Sequence, residues 1–259
     1  MSLFSDTSHL FVRSLKKLLR NPILLFFSLF QPIIFLLFFT QLFKNFASVP
    51  GFAQAAGTTS YLNFAIAGIV LQNGFSSAFQ SGTAVVDDLR SGFLTKMLAT
   101  PVSRPAILLG RILTDAVRVV AQSTIILVLA LVLGGTIKEG ILGYLLMLAT
   151  IAFFGLAWSG ISLSIGLKTR SAETVFGIAG TLTFPLLFMS TALNPRALLP
   201  DWMQTVSTYN PISITVDAVR APMITGFDAG TILTAFGVIG LIGLITMGAT
   251  LYLFRKLVS

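Results

Sequence analysis

The residues of this 259-residue sequence that could do chemistry are concentrated in one charged stretch, residues 84–118. Within it Arg111, Asp115 and Arg118 are spaced i, i+4 and i+7, so on a helix they share one face. Charges of opposite sign at this spacing form ion pairs, and we interpret the three as a structural ion cluster. A relay that moves charge during function is the alternative use of the same residues.

Motifs of catalysis and of nucleotide binding are absent from the sequence. It contains no G-x-x-x-x-G-K-S/T phosphate loop, no H-E-x-x-H zinc motif and no nucleophile elbow. Its single histidine, His9, lies in a basic N-terminal tail, and there are no cysteines to bind a metal or form a disulfide. We therefore expect no enzyme activity, no metal site and no cofactor bound by this chain.

The composition predicts an integral membrane protein. Hydrophobic residues make up 55% of the sequence and charged residues only 10%, against about 25% charged residues in soluble domains. The net charge of +8 could suggest nucleic acid, but the basic residues lie at the ends of apolar runs, which is the pattern of membrane topology. We expect membrane lipids as partners and no nucleic acid.

The hydropathy pattern predicts an all-α membrane protein with six transmembrane helices. The predicted spans are residues 23–43, 61–80, 104–133, 141–167, 174–193 and 230–254. The run at 23–43 is too long for the apolar core of a signal peptide, which is about 7–15 residues, so we interpret it as a retained span. A basic helix at residues 7–20 precedes it and is expected to lie on an anionic leaflet.

The third predicted span is longer than a membrane is thick. Residues 104–133 would form a helix of about 45 Å, whereas the hydrocarbon core is about 30 Å thick. Its first turns, with Arg111, Asp115 and Arg118, should therefore lie at or below the inner headgroups. No ionisable residue is then expected near the middle of any span, which argues against an ion-coupled carrier.

The distribution of basic residues predicts the orientation. Thirteen of the 17 Lys and Arg residues lie in the N-terminus, the 84–118 stretch, the loop at 168–170 and the C-terminus. Cytoplasmic segments carry such an excess, so both termini are predicted to be cytoplasmic. Six spans agree with this, because an even number returns the chain to its starting side.

An amphipathic helix is predicted between the second and third spans, at residues 84–100. Its apolar face holds Val86, Leu89, Phe93 and Met97. Pro101 ends it, because proline disfavours the α conformation in the residue before it. Such a helix at a membrane face suits contact with another protein, and a linker lying on the headgroups is the alternative.

Two groups of residues carry a family resemblance that covers nearly the whole chain. The first group is Asp87-Asp88, Gly92, Pro101-Val102-Ser103-Arg104, Gly110-Arg111, Asp115 and Arg118. The second is Leu199-Pro200-Asp201-Trp202-Met203-Gln204, Asn210-Pro211 and Asp217-Ala218-Val219-Arg220. Together they resemble the type-2 ABC exporter permeases of the daunorubicin-resistance branch.

The resemblance implies two functional segments. In that family the first cytoplasmic loop carries a coupling helix that docks on a separate ATPase, so residues 84–100 are expected to be this helix. The residues expected at the contact are Asp87, Asp88, Leu89, Phe93, Met97 and Arg104. Residues 195–228 are expected to be an outer re-entrant segment, and the residues expected to form an outer gate in it are Trp202, Asp217 and Arg220. Asp217 and Arg220, one helical turn apart, should form an ion pair.

The resemblance also implies a function. We predict the permease subunit of an ATP-driven ABC exporter, with ATP and magnesium held by the partner ATPase and not by this chain. It would work as a homodimer with two copies of the ATPase in the plasma (inner) membrane of a prokaryote. The substrate would be hydrophobic or amphiphilic, either drug-like or lipid-like. The alternatives are a permease that exports a lipid-linked glycan and a non-transporting membrane assembly subunit.

Overall fold

The structure, a computed structural model, describes residues 3–20, 22–99 and 102–258. These residues form α-helices and two short 3-10 helices without any β-strand, so the all-α prediction is confirmed. The α-helices are α1 (Leu3–Leu19), α2 (Pro22–Leu42), α3 (Phe52–Ala56), α4 (Tyr61–Arg90), α5 (Phe93–Leu98), α6 (Arg104–Val132), α7 (Gly140–Thr169), α8 (Ala172–Phe188), α9 (Asp201–Tyr209), α10 (Pro211–Ile224) and α11 (Ala229–Val258).

Four of the described helices are long and apolar enough to cross a membrane. They are α4, the Ala106–Val132 part of α6, α7 and the Ala229–Lys256 part of α11. Two shorter apolar helices accompany them, the Phe26–Leu42 part of α2 and all of α8. The chain is therefore a multi-pass membrane protein, and the count of six spans stays a prediction.

Helices α4 and α7 form the centre of the bundle and approach each other through small residues. A Cβ atom added to Gly82 would lie 2.5 Å from the carbonyl oxygen of Ser162, and one added to Gly166 would lie 2.7 Å from the carbonyl oxygen of Gly82. The Ser162 hydroxyl donates a hydrogen bond across the interface to the Ala78 carbonyl. Small side chains let helices pack closely in lipid, where no hydrophobic effect drives them together.

Threonines on α11 join that helix to the other side of α7. Thr246 Oγ1 donates to the Ala157 carbonyl at 2.8 Å, and Thr250 Oγ1 donates to the Gly160 carbonyl at 2.9 Å. Gly160 permits this contact, because a Cβ atom there would lie 2.8 Å from the Cβ atom of Thr246. Close contacts between helix backbones and hydrogen bonds from hydroxyl groups thus stabilise the bundle in addition to apolar packing.

The predicted helix at residues 84–100 is not a single helix. Helix α4 continues to Arg90, and the chain breaks at Ser91 and Gly92 before α5 begins at Phe93. Gly92 has φ +67°, a left-handed conformation that glycine adopts without steric cost. The helical periodicity was predicted correctly. However, Val85 and Val86 are buried in the bundle, and α4 continues to Arg90, beyond the predicted end of its span at residue 80. Pro101, predicted to end the helix, lies outside the described residues.

Several helix ends meet in a second hydrophobic cluster. Its buried members are Val85, Leu94, Ile107, Leu108, Leu163, Leu167 and Phe254. These residues come from α4, α5, α6, α7 and α11. Short α5 is therefore anchored to the ends of four long helices.

The N-terminal helix α1 packs along the first half of α6. A Cβ atom added to Gly110 would lie 2.9 Å from the Cβ atom of Leu10, so glycine is needed at this contact. The buried Asp6 carboxylate accepts a hydrogen bond from the backbone N–H of Ser103 at 3.0 Å. Part of the surface of α1 is therefore buried against α6 and the residues just before it.

Candidate functional site

Helices α4 and α6 run antiparallel and are joined by polar pairs at several levels, and α4 also pairs with Thr136 in the loop just after α6. The pairs are Asn63–Thr136 (2.9 Å), Asn73–Ser123 (3.2 Å), Ser77–Arg118 (3.0 Å) and Asp88–Arg111 (2.8 Å). The first and last pairs are separated by 25 residues of α4, or about 37 Å of helix at 1.5 Å per residue. This length is close to the hydrocarbon thickness of about 30 Å, so the two pairs mark the ends of the apolar bundle.

One ion pair lies inside this apolar length. Arg118 Nη2 donates to Asp115 Oδ1 at 2.8 Å and to the Ser77 carbonyl at 2.8 Å, while the Ser81 hydroxyl donates to the Asp115 carboxylate. Asp115 and Arg118 are each only 8% exposed. The hydrogen bonds from α4 satisfy two charges that would otherwise be costly in an apolar interior.

The position and membership of this ion cluster correct the sequence prediction. Arg118 lies halfway along the 29-residue α6, about 10 Å by helical rise from Arg111, and not at the end of the span. The expectation that no ionisable residue lies near the middle of a span was therefore wrong. Arg111 was predicted to pair within the cluster, but it bonds to Asp88 instead, because α4 presents that carboxylate at its level.

A cavity of about 420 Å³ opens between α2, α4 and α8. Its aromatic lining residues are Phe27, Phe75, Phe79, Phe176 and Phe184, and its polar ones are Ser28, Gln31, Gln72, Ser76, Gln80 and Thr183. Gln80 also accepts a hydrogen bond from Arg118 at 3.4 Å, which links the cavity wall to the buried ion pair. We call this the phenylalanine cavity.

The sequence prediction missed this cavity, although α4 carries a signal for it. Gln72, Ser76 and Gln80 are spaced i, i+4 and i+8 along α4, which places them on one face of this membrane helix. A polar stripe on a membrane helix indicates a partner or a cavity. The phenylalanines give no comparable signal, because the sequence contains 23 of them.

The coupling segment, residues 87–99, comprises the end of α4, the break and α5. Its expected apolar face is not free. Leu89 and Met97 pack against the second hydrophobic cluster, and the guanidinium of Arg13 lies 3.7 Å from the centroid of the Phe93 ring. These side chains hold the segment to the bundle and are partly buried there. Their contact with an ATPase stays a prediction.

Charged residues occupy the free side of the coupling segment. Asp87, Arg90 and Lys96 are exposed, as are Ser91 and Ala99. Asp88 is half-buried and is shared between Arg111 at 2.8 Å and Lys17 at 3.4 Å. The side chain of Arg104, also predicted at the contact, lies outside the described residues.

At the opposite end of the bundle, Asp217 is the centre of a network on α10. Arg220 lies 3.2 Å from the carboxylate of Asp217, which confirms the predicted pair, and Arg196 lies 3.1 Å from it. The Thr191 hydroxyl donates to the same carboxylate at 2.8 Å. We call these four residues the Asp217 cluster. Sequence reasoning missed Arg196 and Thr191, because neither is near Asp217 in the chain.

Besides its ion pair with Asp217, Arg220 makes hydrogen bonds to the backbone and contacts an aromatic ring. It donates to the carbonyls of Phe64 at 3.2 Å and Thr191 at 2.7 Å, and it lies 3.8 Å from the centroid of the Phe64 ring. Burial lowers the pKa of Arg220 to about 10 while the Asp217 carboxylate opposes the shift, so the guanidinium stays charged at neutral pH. Trp202, predicted to act with this pair, lies on α9 with 60% of its surface exposed and is outside the network.

Residues 6–224 match the protein family described as ABC-2 type transporter. The chain belongs to this family. The resemblance to type-2 ABC permeases is thereby confirmed. The matched residues include the phenylalanine cavity, the coupling segment and the Asp217 cluster.

Similar proteins that are described as transport permeases agree with this assignment. The chain is similar to a daunorubicin resistance ABC transporter permease protein of Streptomyces coeruleorubidus, with 31% identity over 87% of this chain and 79% of the relative. It is similar to a putative transport permease of Pyropia yezoensis, with 30% identity over 85% and 74% of the two chains. It also resembles a probable doxorubicin resistance ABC transporter permease protein of Mycobacterium tuberculosis, with 28% identity over 56% and 53% of the two chains.

In this ABC-2 type permease, α4 is the element that connects the sites. It supplies Gln72, Ser76 and Gln80 to the phenylalanine cavity and ends at the break that begins α5. Phe64, near its other end, supports Arg220. A displacement of α5 can therefore reach the cavity wall through one continuous helix of 30 residues.

Proposed function

We propose that this chain is the permease subunit of an ATP-driven exporter that moves a hydrophobic or amphiphilic substrate. The observation that carries the proposal is the continuity of α4 between the wall of the phenylalanine cavity and the coupling segment. Membership of the ABC-2 family implies an ABC ATPase partner, which would hold ATP and magnesium. Force applied to the coupling segment by that partner would change the cavity.

The size and lining of the cavity support the substrate class. A volume of about 420 Å³ lies within the range of pockets that hold drug-sized ligands, about 300–1,000 Å³. Its phenylalanines suit an apolar ring system, while Gln72, Ser76 and Gln80 offer hydrogen bonds to a polar group. A lipid-linked glycan would need a wider and more polar path, so this alternative is less well supported.

The exposed faces on both sides of the cavity support a homodimer. Phe27 on α2 and Phe184 on α8 line the cavity yet are 65% and 58% exposed. A second copy packed on this side would cover both helices and close the cavity. Two copies would then present two coupling segments to two ATPases.

We propose six spans, formed by the four long helices together with α2 and α8. With six spans both termini lie on one side, and the excess of Lys and Arg at that end of the bundle favours the cytoplasm. The coupling segment would then face a cytoplasmic ATPase, and the Asp217 cluster would lie at the outer end. The Asp217 cluster would serve as an outer gate in a plasma membrane.

The exposed charges of the coupling segment are the proposed docking residues. Lys96 on α5 is exposed, whereas Leu94 on the same helix is buried. The helix is therefore held against the bundle while the Lys96 ammonium group can reach a partner. Lys96→Glu should abolish co-purification of the ATPase without lowering the melting temperature. Lys168→Glu, at an exposed residue on the last turn of α7, is the matched control and should bind the ATPase normally.

Transport is tested by reconstituting the permease with its ATPase and measuring the ATPase rate against the concentration of candidate amphiphiles. Phe27→Ala should raise the half-maximal concentration by roughly 10-fold or more, because a Phe ring that becomes buried against the substrate contributes about 1.5–3 kcal/mol. Phe38→Ala is the control, since Phe38 is on the same helix, is 68% exposed and does not line the cavity. An ATPase rate that no amphiphile alters would favour the non-transporting assembly subunit.

A further inference from the structure

The basic face of α1 is a strongly charged surface that the proposed function does not use. Its cations are Arg13, Lys16, Lys17 and Arg20, all exposed. Together with Ser8, His9 and Val12 they line an open concavity of about 780 Å³. All of its lining residues belong to α1 or follow it directly, so it is a groove between their side chains that is open to solvent.

The fold places this surface at one end of the apolar bundle. Helix α2 begins at Pro22, directly after α1, and its apolar residues follow at once. Lys17 is bonded to Asp88, which with Arg111 forms the last polar pair between α4 and α6. The basic face therefore lies at the level where the phosphates of lipid headgroups are expected.

The acidic groups near this face do not balance it. Asp88 bonds to Lys17, but it is shared with Arg111 at the shorter distance of 2.8 Å. Asp6 is buried and bound to the Ser103 N–H, and Asp87 points to solvent from α4. Within the described part of the chain no hydrogen bond or ion pair joins Lys16 or Arg20 to another side chain. Anionic headgroups are the complementary partner.

We propose that the phosphate of an anionic lipid binds between Lys16, Lys17 and Arg20, and that its binding withdraws Lys17 from Asp88. The Lys17–Asp88 pair is 3.4 Å long and the Lys17 side chain is 67% exposed, so a phosphate can compete with the carboxylate. Asp88 lies two residues before the end of α4, within the coupling segment. Lipid charge would thereby set how firmly α1 holds that segment, and this second step rests on the proposed function.

Lipid binding is tested on the purified permease without its ATPase. Native mass spectrometry measures phosphatidylglycerol retained by the protein against phosphatidylcholine. Lys16→Gln/Arg20→Gln should weaken phosphatidylglycerol binding roughly 30-fold, since each basic residue near an anionic surface contributes about a factor of five. Lys168→Gln/Arg255→Gln removes the same charge from the same end of the bundle and should change binding little. Equal effects of the two double variants, or no effect of the first, would overturn the proposal.

The consequence for coupling is tested with the permease and ATPase in vesicles of phosphatidylcholine, with or without phosphatidylglycerol. Wild-type protein should change its ATPase rate when phosphatidylglycerol is added. Lys17→Gln should show in phosphatidylcholine the rate that wild type reaches with phosphatidylglycerol, and should not respond further. If both proteins respond alike, Lys17 does not transmit the lipid signal. Loss of ATPase binding altogether would count against the proposed function, while the mass spectrometry still decides lipid binding.

Discussion

Arg118 and Asp115 form an ion pair of 2.8 Å that is buried halfway along α6. The arginine also binds Ser77 and Gln80 on α4, so the pair joins two central helices beside the phenylalanine cavity. A buried ion pair is weak evidence of stabilisation, because the desolvation of both charges offsets their attraction. Its two possible roles, structural pairing and charge relay, can be separated by experiment.

Asp115→Asn should destabilise the permease by about 3–5 kcal/mol, because it leaves the Arg118 charge buried without its partner. Thermal unfolding of the detergent-purified protein measures this. Replacing both residues, as Asp115→Leu/Arg118→Met, should be far less harmful, since apolar residues that fill the same space are often neutral or stabilising. A double variant that transports normally identifies a structural pair. A folded but inactive double variant would establish a relay.

The Asp217 cluster leads to a second prediction. Asp217→Asn keeps a hydrogen-bond acceptor for Thr191 but removes the charge that Arg196 and Arg220 share. We expect a loss of about 1–3 kcal/mol of stability and slower export, because hydrogen bonds to charged groups are the stronger ones. Asp201→Asn, at an exposed residue in the first turn of α9, is the control and should behave as wild type.

Exchanging the charges as Asp217→Arg/Arg220→Asp should not restore export. Arg220 donates to the backbone carbonyls of Phe64 and Thr191, and a carboxylate at that position cannot donate to them. Restoration of transport by the exchange would mean that only the attraction between the two charges matters. Measuring substrate export in reconstituted vesicles that contain equal amounts of each protein distinguishes these results.

The ion pairs that could be predicted from the sequence are those between residues less than one turn apart on the same helix. Asp115–Arg118 and Asp217–Arg220 are each three residues apart on one helix, and the structure contains both. The partner of Arg111 is 23 residues away on α4, and finding it requires the register between two helices. No rule of sequence spacing supplies that register.

The same limit applies to the coupling segment. Helical periodicity identified Leu89, Phe93 and Met97 as one face, but it could not say what that face meets. In the structure other helices of the same chain and Arg13 of α1 cover it. Helical periodicity therefore gave the face but not the residues of the same chain that pack against it. The all-α class was predictable because long apolar runs in lipid have few alternatives to helices.

The proposed topology predicts which single cysteines an impermeant thiol reagent can reach in intact cells. The chain has no cysteine of its own, so each variant carries one reactive group. Thr59→Cys, in the exposed turn before α4, should be labelled from outside, whereas Ser91→Cys in the coupling segment should be protected until the membrane is opened. Labelling of the residue 91 variant in intact cells would contradict the orientation.

The close contact of α4 with α7 gives a final prediction about packing. Gly82→Ala should destabilise the bundle by about 1–3 kcal/mol, because the new methyl group would meet the backbone of Ser162, with its carbonyl oxygen at 2.5 Å. Backbone atoms cannot move away from the methyl group as the end of a flexible side chain can, so α4 and α7 must separate. Thermal unfolding in detergent measures the loss.

Gly237→Ala is the matched control for this change. Gly237 lies within α11, and a Cβ atom there would meet nothing within 4 Å. The substitution should therefore be neutral or stabilise the protein by about 0.5–1 kcal/mol, since alanine loses less backbone entropy in a helix than glycine does. If both variants unfold at the wild-type temperature, α4 and α7 are not held as closely as the structure places them. If Gly82→Ala also lowers the substrate response more than its stability loss explains, the α4–α7 contact takes part in transport.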